Sequence, residues 1–304
     1  MKHFLRCSSL LLILLALVSV VVADSFDDGF QAYNAGDYKK AHDLFLVAAE
    51  EGDLGAQYNL GVMYRDGLGV PQNYNEAVRY FRMSAEDGVD MALNNLGIMY
   101  KNGLGVPQHY GKAFMWFDEA ARTGLMNAQN NLGVMYHEGH GVPQDHKQAV
   151  KWYRLAAEQG DAQAQSNLGM MYDEGQGVAQ DPEEAAKWYR LSAEQGYAKA
   201  QNNLGDLYRS GLGVEQDYDE ALKWYRLAAG QGYAEAQLNL GDMYEKGLGV
   251  HQSYEDAYAW WVVAAENGDE MAEINMKNAQ ESWSEGLIER GQNLGSEFIK
   301  GAGD

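Results

Sequence analysis

The 304-residue chain has one cysteine, Cys7, and few basic side chains, with 23 Lys and Arg against 44 Asp and Glu. Each shortage excludes something. A lone cysteine cannot close an intrachain disulfide, so packing must hold the fold even in an oxidising compartment. A formal charge of −21 and a pI near 4.6 give a surface that repels phosphate backbones, because nucleic-acid binding rests on clustered Lys and Arg. DNA and RNA are therefore excluded as partners. Adsorption to anionic lipid is disfavoured, whereas basic or polar partner surfaces are favoured. Long hydrophobic runs are missing beyond the first 23 residues, so no later segment spans a bilayer. The 46% hydrophobic content is nonetheless enough for a substantial core.

The exception lies at the start. Lys2 and Arg6 precede an apolar run from Leu10 to Val18, and the small residues Val21-Val22-Ala23 stand before Asp24. Residues 1–23 read as a cleaved signal peptide, since about 14 apolar residues fall short of the roughly 20 that a transmembrane helix needs. The expected localisation is secreted or periplasmic, with no stable membrane insertion once the leader is removed. Cys7 goes with the leader, and loss of Lys2 and Arg6 leaves a mature charge of −23.

Internal periodicity organises the rest. Leu-Gly recurs every 36 residues at Leu60, Leu96, Leu132, Leu168, Leu204 and Leu240. Tyr stands four positions after each Leu, from Tyr64 to Tyr244. A Gly-x-Gly-Val turn then begins at Gly67, Gly103, Gly139, Gly175, Gly211 and Gly247, and each copy closes on a Gly such as Gly88 or Gly268. The organisation is a leader over 1–23, a shortened entry unit over 24–52, six 36-residue repeats over 53–268 and closing helices over 269–304.

Each copy reads as two antiparallel helices. In the second, Ala149, Trp152, Tyr153, Ala156 and Ala157 share one face at a period near 3.6. Asn73, Asp145, Asp181, Asp217 and Ser253, with an acid or Gln three residues on, form a capping-box pattern, which His109 and Lys112 break in the second copy. The first helix should end at the first Gly of Gly-x-Gly, and the Gly after each Leu should let the paired helices approach closely. Two short helices cannot bury their apolar faces alone, so the copies must stack, giving an all-α superhelical solenoid with a concave groove. Trp283, Leu287, Ile288, Leu294 and Phe298 suggest a closing cap with a polar outer face.

The run from Ala162 to Gly196, with its Gln-x-Asn-Leu-Gly-x-Met-Tyr core, Gly-x-Gly-Val turn and Trp-Tyr-x-x-Ala-Ala-type close, resembles the Sel-one-like repeat (SLR) family, relatives of the tetratricopeptide repeats. The resemblance covers about residues 25–276. It implies a right-handed α/α solenoid acting as an adaptor for protein complexes, in bacteria often exported and linked to signalling, envelope processes or host contact. Cysteine-rich members look like penicillin binders. This chain has no mature cysteine and no Ser-x-x-Lys, and an envelope-directed hydrolase or β-lactam binder is the rival reading.

A residue type held in every copy is structural, whereas one that changes can be chosen by a ligand. Asn59, Asn95, Asn131, Asn167, Asn203 and Asn239, just before each Leu, are expected to bond neighbouring backbone. Trp116, Trp152, Trp188, Trp224 and Trp260 are expected in the core, as are Met63, Met99, Met135, Met171 and Met243. His137, His140 and His146 have chelating spacing, but their slots vary between copies, so no metal and no cofactor is expected. No carboxylate pair stands out from the repeat for acid–base work, and the chain reads as a binder, not an enzyme.

The variable face of the first helix is the candidate site. Its slot two before the Leu holds Tyr58, Asn94, Asn130, Ser166, Asn202 and Leu238. The slot two after holds Val62, Ile98, Val134, Met170, Asp206 and Asp242, and the slot five after holds Arg65, Lys101, His137, Asp173, Arg209 and Glu245. These positions share a helix face, which by analogy with tetratricopeptide repeats lines the groove. The second slot turns from apolar to acidic along the chain, with no packing reason visible in the repeat, so the expected partner is a protein or peptide with apolar and basic segments.

Overall fold

The computed structural model describes residues 25–301, so the leader lies outside the described residues. Those residues form sixteen helices and no strand. They fall into two compact units, one through Asp145 and one from His146. The first holds α1 (25–34), α2 (Tyr38–Glu50), α3 (Leu54–Asp66), α4 (Tyr74–Glu86), α5 (Asp90–Asn102), α6 (Tyr110–Arg122) and α7 (Met126–Glu138). The second holds α8 (His146–Glu158), α9 (Ala162–Glu174), α10 (Pro182–Glu194), α11 (Ala198–Ser210), α12 (Tyr218–Ala229), α13 (Ala234–Lys246), α14 (Tyr254–Glu266), α15 (Glu270–Ser282) and α16 (Glu285–Gly301). None of these helices is long and apolar enough to cross a membrane.

From α3 to α14 the odd-numbered helices carry the Leu-Gly pair and the even-numbered ones the Ala-rich face. The architecture is the expected all-α solenoid. Leu60, Leu96, Leu132, Leu168, Leu204 and Leu240 are completely buried, each contributing about 1.5–3 kcal/mol of burial free energy. The Gly after the Leu faces an aromatic ring of the partner helix at Gly61, Gly97, Gly169, Gly205 and Gly241. A Cβ at Gly205 would stand 2.7 Å from Cε1 of Tyr225, and one at Gly169 2.8 Å from Cδ1 of Tyr189.

The two glycines of the turn have separate jobs. The first ends the helix in the left-handed region, at φ 72° for Gly67 and 74° for Gly211. The second is pressed on the first turn of the preceding repeat's second helix, Gly69 on Tyr38 and Gly141 on Tyr110, leaving no room for a side chain.

The N-caps are half of the expected box. Asn73, Asp181, Asp217 and Ser253 accept from backbone N–H groups two or three residues on. His109 caps too, its Nδ1 accepting from Lys112 N at 3.2 Å, so the second copy keeps a cap where a weaker one was expected. The cap residues' own N–H groups donate to the carbonyl of the repeat's Tyr, as Asn73 to Tyr64 and Asp217 to Tyr208. The following acids are thereby free to pair with cations one turn on, Glu76 with Arg79 and Glu220 with Lys223.

The C-terminal end departs from a polar cap. Met271 and Ile274 on α15 are about half exposed. Trp283 stacks on Trp261 at 5.6 Å, and α16 turns back to lie along α14.

Candidate partner-binding face

The three candidate slots lie together on the first helices but differ in exposure. Before the Leu, Asn94, Asn130, Ser166 and Asn202 are buried, while Tyr58 and Leu238 are half-buried. Neighbouring first helices explain the burial. Asn131 Nδ2 donates to Asn94 Oδ1, and Asn239 Nδ2 to Asn202 Oδ1, both at 3.0 Å. Tyr58 lies against Phe81, their centroids 5.9 Å apart, and Leu238 packs on the cluster around Trp261. These bonds form a polar seam between repeats. Of the Asn residues just before the Leu, Asn95, Asn131 and Asn239 belong to that seam, and Asn59 and Asn95 donate to carbonyls one turn back in their own helices.

In the slot after the Leu, all six residues are half-buried, and the apolar-to-acidic change has an internal cause. The ring nineteen residues on is Phe81 and Phe117 for Val62 and Ile98, Tyr153 and Tyr189 for Val134 and Met170, and Tyr225 and Trp261 for Asp206 and Asp242. Tyr225 Oη donates to Asp206 Oδ1 at 2.8 Å, and Trp261 Nε1 to Asp242 Oδ1 at 3.2 Å. The acids therefore satisfy buried donors, which corrects the reading of this slot as one chosen by a ligand alone. Tyr189 has the side chain of Asn203 as a polar neighbour, and Met170 beside it stays apolar. Asn239 is already committed to Asn202, and Tyr225 turns to Asp206.

Asp206 also receives Arg209 Nη2 at 2.7 Å and Asn202 Nδ2 at 3.3 Å. Burial raises its carboxyl above the ordinary range, against the opposing pull of Tyr225 and Arg209. Burial and the neighbouring acid raise the Tyr225 hydroxyl far above its ordinary value, so it stays a donor at any working pH. Asp242 also accepts from Asn275 and lies 3.7 Å from Lys246.

The third slot stays half-exposed in all six copies. Arg65 is held by Asp66 at 2.7 Å and by Asn95 Oδ1 at 2.6 Å, and Arg209 by Asp206. Burial, with Glu174 adding to it, raises Asp173. Lys101, His137 and Glu245 complete the row. His140 pairs with Glu138 at 2.8 Å and stacks on Tyr110 at 4.4 Å.

Sequence reasoning missed the buried glutamines three before the Leu. Gln165, Gln201 and Gln237 donate to the carbonyls of Ala157, Ala193 and Ala229 in the preceding helix. Their oxygens accept from Gln195, Gln231 and Asn267. A Gln at a fixed place in an otherwise apolar stripe was the available signal, because a buried amide needs partners.

A model of the Sel1 repeat matches residues 28–53, 55–89, 90–125, 127–161, 162–197, 198–233 and 234–269. A Sel1 repeat protein from Oxalobacter formigenes is 34% identical with a TM-score of 0.74, covering 79% of this chain and 96% of that one. A protective antigen of uropathogenic Escherichia coli strains, described as displaying an SLR fold, is 32% identical with a TM-score of 0.64, covering 93% and 73%. An exopolysaccharide production negative regulator from Rhizobium leguminosarum bv. viciae is 41% identical over 56 residues. That match spans 18% of this chain and only 21% of the regulator's length.

Proposed function

The chain belongs to the Sel1 repeat family, and from that premise we propose that it is an exported scaffold holding a partner protein or peptide along the exposed face of its first helices. The carrying observation is the slot five after the Leu. It stays half-exposed in every copy while its charge changes from Arg65 and Lys101 through His137 to Asp173, Arg209 and Glu245. Packing fixes a residue type in every copy, as with the buried Leu, and leaves this slot to other demands. Arg65 and Arg209 are tied into the seam, so Lys101, Asp173 and Glu245 are the charges a partner meets. Val62, Ile98 and Val134 supply apolar contacts beside them. A partner with apolar and basic segments suits this row, and charge would set its orientation and association rate more than its affinity.

Export rests on the leader-like residues 1–23. The likeness to a protective antigen and to a regulator of exopolysaccharide production supports a role in envelope or host-contact processes.

The full chain, expressed in a bacterium with its leader, should appear outside the cytoplasm with Asp24 as its first residue on N-terminal sequencing. Partners captured by it and identified should bind Lys101→Glu with Asp173→Lys and Glu245→Lys about tenfold more weakly. Retention of the uncut chain in the cytoplasm overturns export, and unchanged affinity in the triple variant overturns this face.

A further inference from the structure

The last helix shows what the outer side of the solenoid can hold. Along α14, Tyr258, Ala259, Val262 and Val263 are all buried; α16 packs on the first three, and Val263 lines a cavity with Phe298 and Ile299 of α16. The fit depends on two glycines one helical turn apart. A Cβ at Gly291 would stand 2.8 Å from Tyr258 Cβ, and one at Gly295 2.9 Å from Val262 Cβ. At the edges Arg290 pairs with Glu255 at 2.7 Å and Phe298 packs on Trp260 at 5.0 Å. An amphipathic helix with a small-residue stripe is thus seated on the outer face of a second helix, running in the same direction.

Stepping back by 36 residues from Ala259, Val262 and Val263 gives Lys223, Arg226 and Leu227 on α12, Lys187, Arg190 and Leu191 on α10, and Lys151, Arg154 and Leu155 on α8. These positions have the same place on the same kind of helix but carry nothing. Leu155, Leu191 and Leu227 are 38%, 46% and 47% exposed. The leucines repeat where Val263 meets α16, and two cations now stand where α14 has Ala and Val. Six cations around three exposed leucines contrast with the acidic balance of the chain. They are only lightly engaged. Lys187 and Lys223 pair with Glu184 and Glu220 on their own helices while remaining more than half exposed, and such pairs are worth little and exchange readily. Arg154, Arg190 and Arg226 reach the hydroxyls of Tyr172, Tyr208 and Tyr244. Beside Leu191 a cleft of about 430 Å³, lined by Ala186, Lys187, Arg190 and Val214 together with Glu183 and Glu194, gives an anchoring side chain room.

We propose that the outer face of α8, α10 and α12 is a second binding surface, whose ligand is an amphipathic helix with a small-residue apolar stripe flanked by carboxylates. The surface continues the one α16 already occupies, with its flanking chemistry changed from apolar to cationic. It is separate from the first-helix face above, and either can fail without the other.

The probe is a synthetic peptide of residues 285–301 with Arg290 and Lys300 replaced by Glu, titrated into the full chain at low salt by fluorescence anisotropy. It should bind saturably, and about tenfold more tightly than the peptide of unaltered sequence. Leu191→Asp with Leu227→Asp should weaken binding at least about tenfold, since exposed apolar anchors at the centre of a patch carry the affinity. Arg190→Glu with Arg226→Glu should weaken it several-fold and remove most of its salt dependence. All four positions are exposed, so unchanged helical circular dichroism will show that the variants fold. No saturable binding up to about 1 mM overturns the proposal. So does equal binding by parent and leucine variants, which would place the peptide on α14 in exchange for α16.

Discussion

The first and fifth copies of the repeat solve one packing problem with different chemistry. In the first, Val62 stands where the fifth has Asp206, and the ring of Phe81 over Gly61 is fully buried and has nothing to bond. In the fifth, Tyr225 fills the same place and gives its hydroxyl to Asp206, which also holds Arg209. The length of the first helix, the Leu and the Gly beneath the ring are the same. A change that looks along the chain like a gradient laid out for a ligand is, across the helix pair, a donor matched to an acceptor.

The shared part should be the most sensitive to change. Gly205→Val and Gly97→Val place a branched side chain where even a Cβ meets the facing ring at 2.7 Å and 2.5 Å. Each is expected to cost about 2–3 kcal/mol by overpacking, seen as an earlier urea midpoint with helical content kept at low urea. A wide gap between the two would mean that the copies do not share this crossing.

Next in size is a transplant. Phe81→Tyr alone buries a hydroxyl beside Val62 and should cost about 1–3 kcal/mol for the unmet donor. Adding Val62→Asp should return much of that, because Arg65 already occupies the slot that Arg209 holds in the fifth copy. A double-mutant cycle reads the coupling, expected at about 1 kcal/mol or more in favour of the pair. Additive losses would dissolve the comparison. The reverse removal, Tyr225→Phe, should cost about 1 kcal/mol, since Asp206 keeps Arg209 and some contact with water.

The smallest effect is a pH dependence. Asp206 titrates higher in the folded chain than in the unfolded one, where a carboxyl sits near 3.9. The native state therefore holds this proton more tightly. The resulting stabilisation is complete below the unfolded value and disappears as pH rises through the folded one. Relative to Asp206→Asn, the parent should gain stability as pH falls from 7 to 4, with urea midpoints as the measurement. A gain in the opposite direction would mean that Arg209 and Tyr225 outweigh burial.

Much of the fold was legible because its rules are local or repeat strictly. The left-handed Gly67, the Leu at the helix crossing and the glycine beneath the ring each follow from one position and its period. What escaped depends on a second helix. Asn94 looked like a surface choice because its partner Asn131 lies in the next copy. The link between Asp206 and Tyr225 spans nineteen residues and two helices, and the repeat columns hide it, because the ring becomes Tyr at Tyr153 two copies before the slot becomes acidic. The landing of α16 on α14 depends on Gly291 and Gly295, whose use shows only against the face that receives them.

The second glycine of each turn also bears on how such a chain can lengthen. Gly213 touches Pro182, Gln165 bonds the carbonyl of Ala157 and Asn239 bonds Asn202, all between adjoining copies at fixed separations. Inserting or deleting one whole 36-residue copy within such a run recreates every one of these contacts, whereas a single added residue in a turn displaces several of them together. Growth by duplication of intact copies is the route these contacts leave open, and any new copy arrives with its outward slots free to diverge.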